Sequence, residues 1–451
     1  MRGVTAILCA AAAASACGKD TQLADAQNQI DARSADANTG PDADPHGPVT
    51  VTVLDYNGTG APAPGVTVVF LEPDGTVEKE VATDANGKAS ANVLAGASVT
   101  AVYVVSAGQH ALETINGVEP NDDLTIGSGS DSSDAGTFTV NLIDTIGTTR
   151  YEVYGPCGVG TYIFNPKQGH GPNGVVATIP VTLTMKKDCL QSTMDLVAVR
   201  YDVDFVASEY VELEDVPFVD AGHVDQAAAW TAVPLVAVSE TNIPADITNV
   251  NVTGIVPDGA GFAYGAPLTP AAGGVNANFP LPVAKTALYI SSLSSSDHTG
   301  TQTIFETHDG TKSDYTLDYG GNILTWIDPP VLDPATGMIT TATSGTGNAD
   351  GFGVTVYFDH DAGVTYSWTV WSANVGTIQL PTLPTDLADD FPKNGDILSS
   401  NTAIVFDLDA ATSYDDVRAH LDSGLGAYYD GRGTVGKLRV SVSNNPASRR
   451  K

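Results

Sequence analysis

The sequence predicts an all-β protein, built as tandem antiparallel β-sandwich-type domains behind an export signal and a polar tether, with one short helix near the C-terminus. Three observations carry that expectation. Short runs rich in Val, Thr, Tyr and Phe recur along the chain, Gly, Pro, Asp and Asn punctuate them, and helix formers in periodic runs are scarce. The 435 residues after position 16 suggest roughly three domains at about 150 residues each.

The N-terminus does not share this pattern. Arg2 precedes the apolar run "GVTAILCAAAAASA", which ends in Ala14-Ser15-Ala16. Residues 1–16 therefore read as a secretory signal, too short to span a bilayer. Small residues directly before Cys17 resemble the lipobox of bacterial lipoproteins, in which the cysteine thiol is acylated after cleavage. The chain has Ala14 where that pattern usually has Leu. Cleavage by the ordinary signal peptidase after Ala-x-Ala is the competing reading.

The cysteine count favours the lipid. Cys9 leaves with the signal, Cys157 and Cys189 remain in an exported body where thiols tend to pair, and Cys17 is left over. The expected bridge Cys157–Cys189 would close a 33-residue loop and stabilise the fold by about 3–4 kcal/mol in the loop-entropy account. Multi-chain acylation at Cys17 would hold the protein to a membrane, since each buried methylene contributes about 0.8 kcal/mol. By resemblance to bacterial lipoproteins, Gly18 in place of Asp favours outer-membrane sorting.

Residues 17–47 hold six aspartates and only two large apolar residues, Leu23 and Ile30. Such composition cannot offset the entropy of ordering, so a solvated tether is expected there.

Residues 48–128 form the clearest folded unit. Val49, Val51 and Val53 alternate along one strand, Val66, Val68 and Phe70 along a second, and Val99, Ala101, Tyr103 and Val105 along a third. Asn57-Gly58, Asp74-Gly75 and Asn86-Gly87 are the hairpin signals between strands. The order "PGVTVVF", "TDANGKA", "GASVTAVYV", with Thr83, Asp84, Gly87 and Ala89 at matching places, resembles the carboxypeptidase-regulatory-like and bacterial immunoglobulin-like modules. That resemblance implies a seven-stranded sandwich with no catalytic residues of its own, used as a spacer or adhesion unit.

A Gly/Ser/Asp connector at 127–136 separates this unit from a second β-rich domain, 136–270, which holds both late cysteines and ends near the Pro- and Gly-rich stretch 265–282. A third, 283–446, follows. Its last strand alternates Leu438, Val440 and Val442 against Lys437, Arg439 and Ser441, as a half-exposed strand would. Residues 412–421 read as a helix capped by Ser413, with Asp415 and Asp416 at its positive end. No repeat at a fixed period is evident. The whole arrangement is similar in style to large bacterial surface lipoproteins.

With 53 acidic against 20 basic residues the net charge is −33, a field that repels phosphate backbones and excludes nucleic acid as a partner. Of the acids, 42 are Asp, which suits a protein of many turns. It also suits calcium, yet no Asp-x-Asp-x-Asp-Gly loop occurs; in the nearest fragment, 82–93, Ala82 and Val93 occupy the end ligand positions, so no metal ligands are nominated.

Catalytic motifs are absent: there is no Gly-x-Ser-x-Gly elbow, His-Glu-x-x-His helix, Walker loop or dinucleotide fingerprint. No catalytic residue and no resident cofactor is expected. Two polar groups can supply metal ligands at strand spacing, Glu306 and His308 beside Asp309, and Asp359, His360 and Asp361, although both read first as hairpin turns. Tyr366 and Trp368 on one strand face, with Trp371 on the other, suit a sugar-stacking platform or, more commonly, core packing. The favoured function is a lipid-anchored surface protein that binds an unidentified protein or glycan. A structural envelope-assembly protein and an exported hydrolase with a non-local site are the alternatives.

Overall fold

The computed structural model describes residues 45–444 apart from short internal stretches, of which 164–177 and 426–434 are the longest. Cys17, Cys157, Cys189, Asp361 and the Asn57-Gly58 turn lie outside the described residues. The fold is all-β, and among the described residues helix is confined to short turns.

The stretch 48–128 contains seven strands in two layers. Gly47–Val53 pairs antiparallel with Lys88–Val93 and parallel with Asp123–Ile126, while Thr67–Leu71 lies between Val77–Ala82 and Ala97–Ser106 in the facing sheet. The alternating valines explain the layering: Val49, Val51 and Val53 are fully buried against Val68, Phe70, Val99 and Ala101. Asp74-Gly75 closes the hairpin between Thr67–Leu71 and Val77–Ala82. Asn86-Gly87, expected to close another, instead carries the chain from one sheet to the other, because Val77–Ala82 and Lys88–Val93 do not pair with each other. The turn chemistry is as read: Asp84 Oδ1 accepts from the N–H groups of Asn86 and Lys88 at 2.8 and 2.9 Å, and Gly87 sits at φ +71°.

A second sandwich spans 134–232. Asp134–Ile143, Thr178–Lys186 and Gly222–Asp225 form one sheet, and Gly158–Ile163, Arg150–Gly155, Thr193–Tyr201, Ala207–Pro217 and Thr231–Ala232 form the other. Their facing side chains, among them Phe138, Leu142, Tyr151, Leu183 and Leu196, make one core.

From Leu235 onward the strands are interleaved. Leu235–Thr241 pairs with Gly274–Pro280 and with Asp314–Asp318, closing a sheet over Ile247–Val256, Thr286–Ser295 and Thr301–Asp309. The stretch 265–282, which reads as a boundary in the sequence, contributes to Phe262–Leu268 and Gly274–Pro280. Both lie at sheet edges, where Pro267 and Pro280 need not donate to a further neighbour.

A thirteen-stranded sheet then runs from Phe262–Leu268 through Thr301–Asp309, Gly436–Asn444, Thr402–Leu408, Gly351–Asp359 and Thr365–Ser372 into Gln109–Val118 and the first unit. Its seam is the parallel pairing of Thr365–Ser372 with Gln109–Val118. Gly436–Asn444 lies antiparallel between Thr301–Asp309 and Thr402–Leu408; Leu438 and Val440 are buried and Lys437 and Arg439 partly exposed, as the alternation predicts, but the pattern breaks at Ser441, which is buried, while Val442 is only partly so. The expected helix at 412–421 is reduced to the turn Tyr414–Val417 followed by the 3-10 turn Arg418–His420. Ser413 is at the N-cap position but makes no capping bond, and Thr412 instead donates to Asp416 from both its N–H and its hydroxyl.

Candidate functional site

Glu306 and His308 share one face of Thr301–Asp309 and point toward Tyr315 on the facing sheet. His308 Nε2 lies 3.2 Å from Glu306 Oε1, Lys437 Nζ lies 3.6 Å from Oε2, and the Tyr315 hydroxyl donates to Oε2 at 3.1 Å. Tyr289 and Tyr315 stack at 4.3 Å, and the His308 ring meets both edge-on. Burial pushes the Glu306 carboxyl up, but His308, Lys437 and Tyr315 outweigh it and hold the group below its ordinary value. This is a carboxylate neutralised inside its own sandwich. Asp309 is exposed and outside the cluster, and the segment after it passes to another sheet instead of forming the expected hairpin turn.

Asp359 and His360 do sit at a hairpin, between Gly351–Asp359 and Thr365–Ser372. His360 Nδ1 is 2.7 Å from Asp396 Oδ1, and Nε2 is 2.7 Å from the Asp389 carbonyl oxygen. Both ring nitrogens abut oxygens of the fold, so neither edge of the ring is open to a metal or a substrate. Around it the structure gathers groups that sequence reasoning missed. His110 Nδ1 lies 2.8 Å from Asp390 Oδ1, and Tyr366 packs against the rings of His110, His360 and Phe358. Burial, then Asp390, Asp389 and Asp396, push the Tyr366 hydroxyl up to about 12. The acidic run 386–390 was the available signal, but nothing in it pointed to His110.

The sugar-stacking platform does not form. Tyr366 and Trp368 are buried, Trp368 donates to Thr114 Oγ1 at 2.9 Å, and Trp371 on the opposite face donates to Glu113 Oε1 at 3.1 Å. These aromatic residues hold the seam between the first unit and the C-terminal strands.

One further cluster has the composition of a metal centre. His46, Glu72 and Glu78 place one donor atom each within 4.8 Å of the other two, and they are the group of that kind among the described residues. His46 precedes Gly47–Val53 on one sheet; Glu72 directly follows Thr67–Leu71 and Glu78 lies on Val77–Ala82, the two strands being paired in the other. No helix among the described residues is long and apolar enough to cross a membrane.

No protein-family model matches the chain. No curated protein matches it either. Among solved structures, the Bacillus anthracis TIE protein aligns at 10% identity and a TM-score of 0.15, over 61% of this chain and 50% of that one. This chain thus spans half the length of that protein. Two B repeat units of the collagen-binding protein of Staphylococcus aureus align at 13% identity and a TM-score of 0.13, over 73% and 99% of the respective chains. A tetra-tandem repeat in the extending region of a large adhesion protein gives 12%, 0.13, 80% and 95%. Superpositions at this level carry no argument, so the functional reading rests on this chain's own residues.

Proposed function

We propose that this chain is an exported, lipid-anchored envelope protein of a bacterium that displays a β-sheet scaffold for adhesion, with binding through its loops and no catalysis. One observation carries the reading: the polar groups best suited to chemistry are consumed by the scaffold. His360 has both nitrogens engaged, and Glu306 is held by His308, Lys437 and Tyr315. A hydrolase would keep a nucleophile or base facing a substrate-sized opening. Sequence features 1–17 support export and acylation at Cys17, with an outer-membrane destination by resemblance to bacterial lipoproteins, and the seven strands of 48–128 are compatible with the carboxypeptidase-regulatory-like resemblance.

Intact mass of membrane-extracted protein, with and without reductant, reports acyl chains on Cys17 and a Cys157–Cys189 bridge together. Recovery of a soluble chain retaining residues 1–16 overturns the anchoring. Binding is tested with glycan and extracellular-matrix protein arrays probed with the chain. A hydrolytic activity abolished by His308→Ala or His360→Ala, in variants that remain folded, overturns the non-catalytic reading.

A further inference from the structure

We infer that His46, Glu72 and Glu78 bind a divalent transition-metal ion of the zinc class, and that this ion cross-links the two sheets of the first sandwich. The proposal is separate from the adhesion reading.

Glu72 supports it most directly. Its side chain is more than nine-tenths buried, Oε2 accepts from the Leu94 N–H at 3.0 Å, and Oε1 makes no hydrogen bond although it is shielded from solvent. That oxygen is aimed at His46 Nε2, 3.2 Å away. A buried carboxylate oxygen and an imidazole nitrogen at that distance need a proton or a cation between them. Glu78, exposed on the edge strand Val77–Ala82, brings a second carboxylate to the same point.

The spacing fits the ion. Zinc bonds of about 2.0–2.1 Å at tetrahedral angles put neighbouring ligand atoms about 3.3 Å apart, close to the Nε2–Oε1 separation observed. Glu78 has the freedom of an exposed side chain to close the third position, leaving the fourth to water. The imidazole nitrogen also discriminates between metals: calcium prefers six to eight oxygens, whereas one nitrogen and two carboxylates suit zinc. His46 is attached to the three-stranded sheet and both glutamates to the larger one, so a bound ion would fasten the two layers where the chain enters the domain.

The test is zinc titration of the chelator-treated full chain by calorimetry, with thermal unfolding in parallel and calcium as comparison. One zinc per chain is expected at micromolar affinity, with a rise in Tm of about 5 °C at saturating metal. His46→Ala and Glu78→Gln should each weaken binding at least tenfold. Glu78 is exposed, so its variant is expected to fold, as circular dichroism will check. The proposal is overturned if zinc does not bind below millimolar concentration, or if both folded variants bind it as the parent does. It is also overturned if calcium, not zinc, gives a Tm rise that Glu78→Gln abolishes.

Discussion

Trp368→Ala tests whether the first unit and the C-terminal strands are one cooperative body. Trp368 is completely buried, in a cluster that also contains Val102 and Leu112 of the first unit. A tryptophan buries about 150–250 Å², which at about 25 cal/mol per Å² amounts to roughly 4–6 kcal/mol. Measured aromatic-to-alanine losses of about 3–5 kcal/mol are the better guide, because the site relaxes in part. The substitution leaves no orphaned hydroxyl, since Thr114 Oγ1 keeps Thr100 Oγ1 at 2.8 Å. Hydrogen exchange with mass spectrometry on the full chain reads the consequence. If the sheet opens as a unit, protection should fall by about two to four orders of magnitude both in Gly351–Asp359 with Thr365–Ser372 and in Ala97–Ser106 with Gln109–Val118. Asp134–Ile143 and Thr178–Lys186, in a separate sheet, should change far less. Loss confined to residues 351–372, with 97–118 untouched, would refute the reasoning.

Two further substitutions probe the backbone and the buried charge. An ideal Cβ on Gly87, at φ +71°, would lie 2.5 Å from the Val53 carbonyl oxygen, whereas Gly75 at φ +84° has nothing within 4 Å. Gly75→Ala should therefore cost only the left-handed conformation, about 1–2 kcal/mol, and Gly87→Ala distinctly more, about 2–4 kcal/mol; equal losses in urea denaturation would remove the clash from the argument. Glu240 is fully buried, with Oε1 accepting from Ser291 and Tyr319, and burial raises its carboxyl above the ordinary 4.5 despite those bonds. The folded state then holds that proton more tightly than the unfolded chain, so stability falls as pH rises from about 4.5 through the folded value and levels off above it. Glu240→Gln removes that loss, and its stability relative to the parent should improve between pH 4.5 and 7; a pH-independent difference would count against it.

Faces were legible in the sequence, but neighbours were not. Alternation placed Val49, Val51 and Val53 inward, and the Asp84 and Gly87 positions of the turn were readable because their chemistry is local. What alternation does not encode is which strand lies alongside. Asn86-Gly87 has the residues of a hairpin yet joins two sheets, and the parallel seam at Thr365–Ser372 joins strands some 250 residues apart. Ser441 looked solvent-facing because it is polar, but it is fully buried, while its neighbours Lys437 and Arg439 stay partly exposed as read. The candidate metal centre escaped for a related reason: Glu72 and Glu78 flank the Asp74-Gly75 hairpin, but His46 reaches them only through the packing of two sheets, which no linear spacing betrays.

The distribution of cations leads to a final prediction. In a chain with 20 basic residues against 53 acidic ones, two of the arginines stand where two acids converge. Arg439 meets Asp407 and Asp409, and Arg418 meets Asp122 and Asp415. Arg418 is almost wholly buried, and it grips Asp122 with two nitrogens, Nε at 2.7 Å and Nη2 at 3.1 Å, tying the helical turn at 414–420 to the last strand of the first unit. Burial pulls against its charge, but the bonds to Asp122 and the nearby Asp415 and Glu119 prevail. A point charge cannot reproduce that fork, so Arg418→Lys should lose much of what Arg418→Ala loses, about 3–5 kcal/mol for breaking a buried pair. Because the clamp spans the seam, the loss should also expose Gln109–Val118 to exchange, linking it to the Trp368 result. If Arg418→Lys unfolds in urea within about 0.5 kcal/mol of the parent, the contact is a surface ion pair in energetic terms, and the first unit owes its attachment to strand pairing and tryptophans alone.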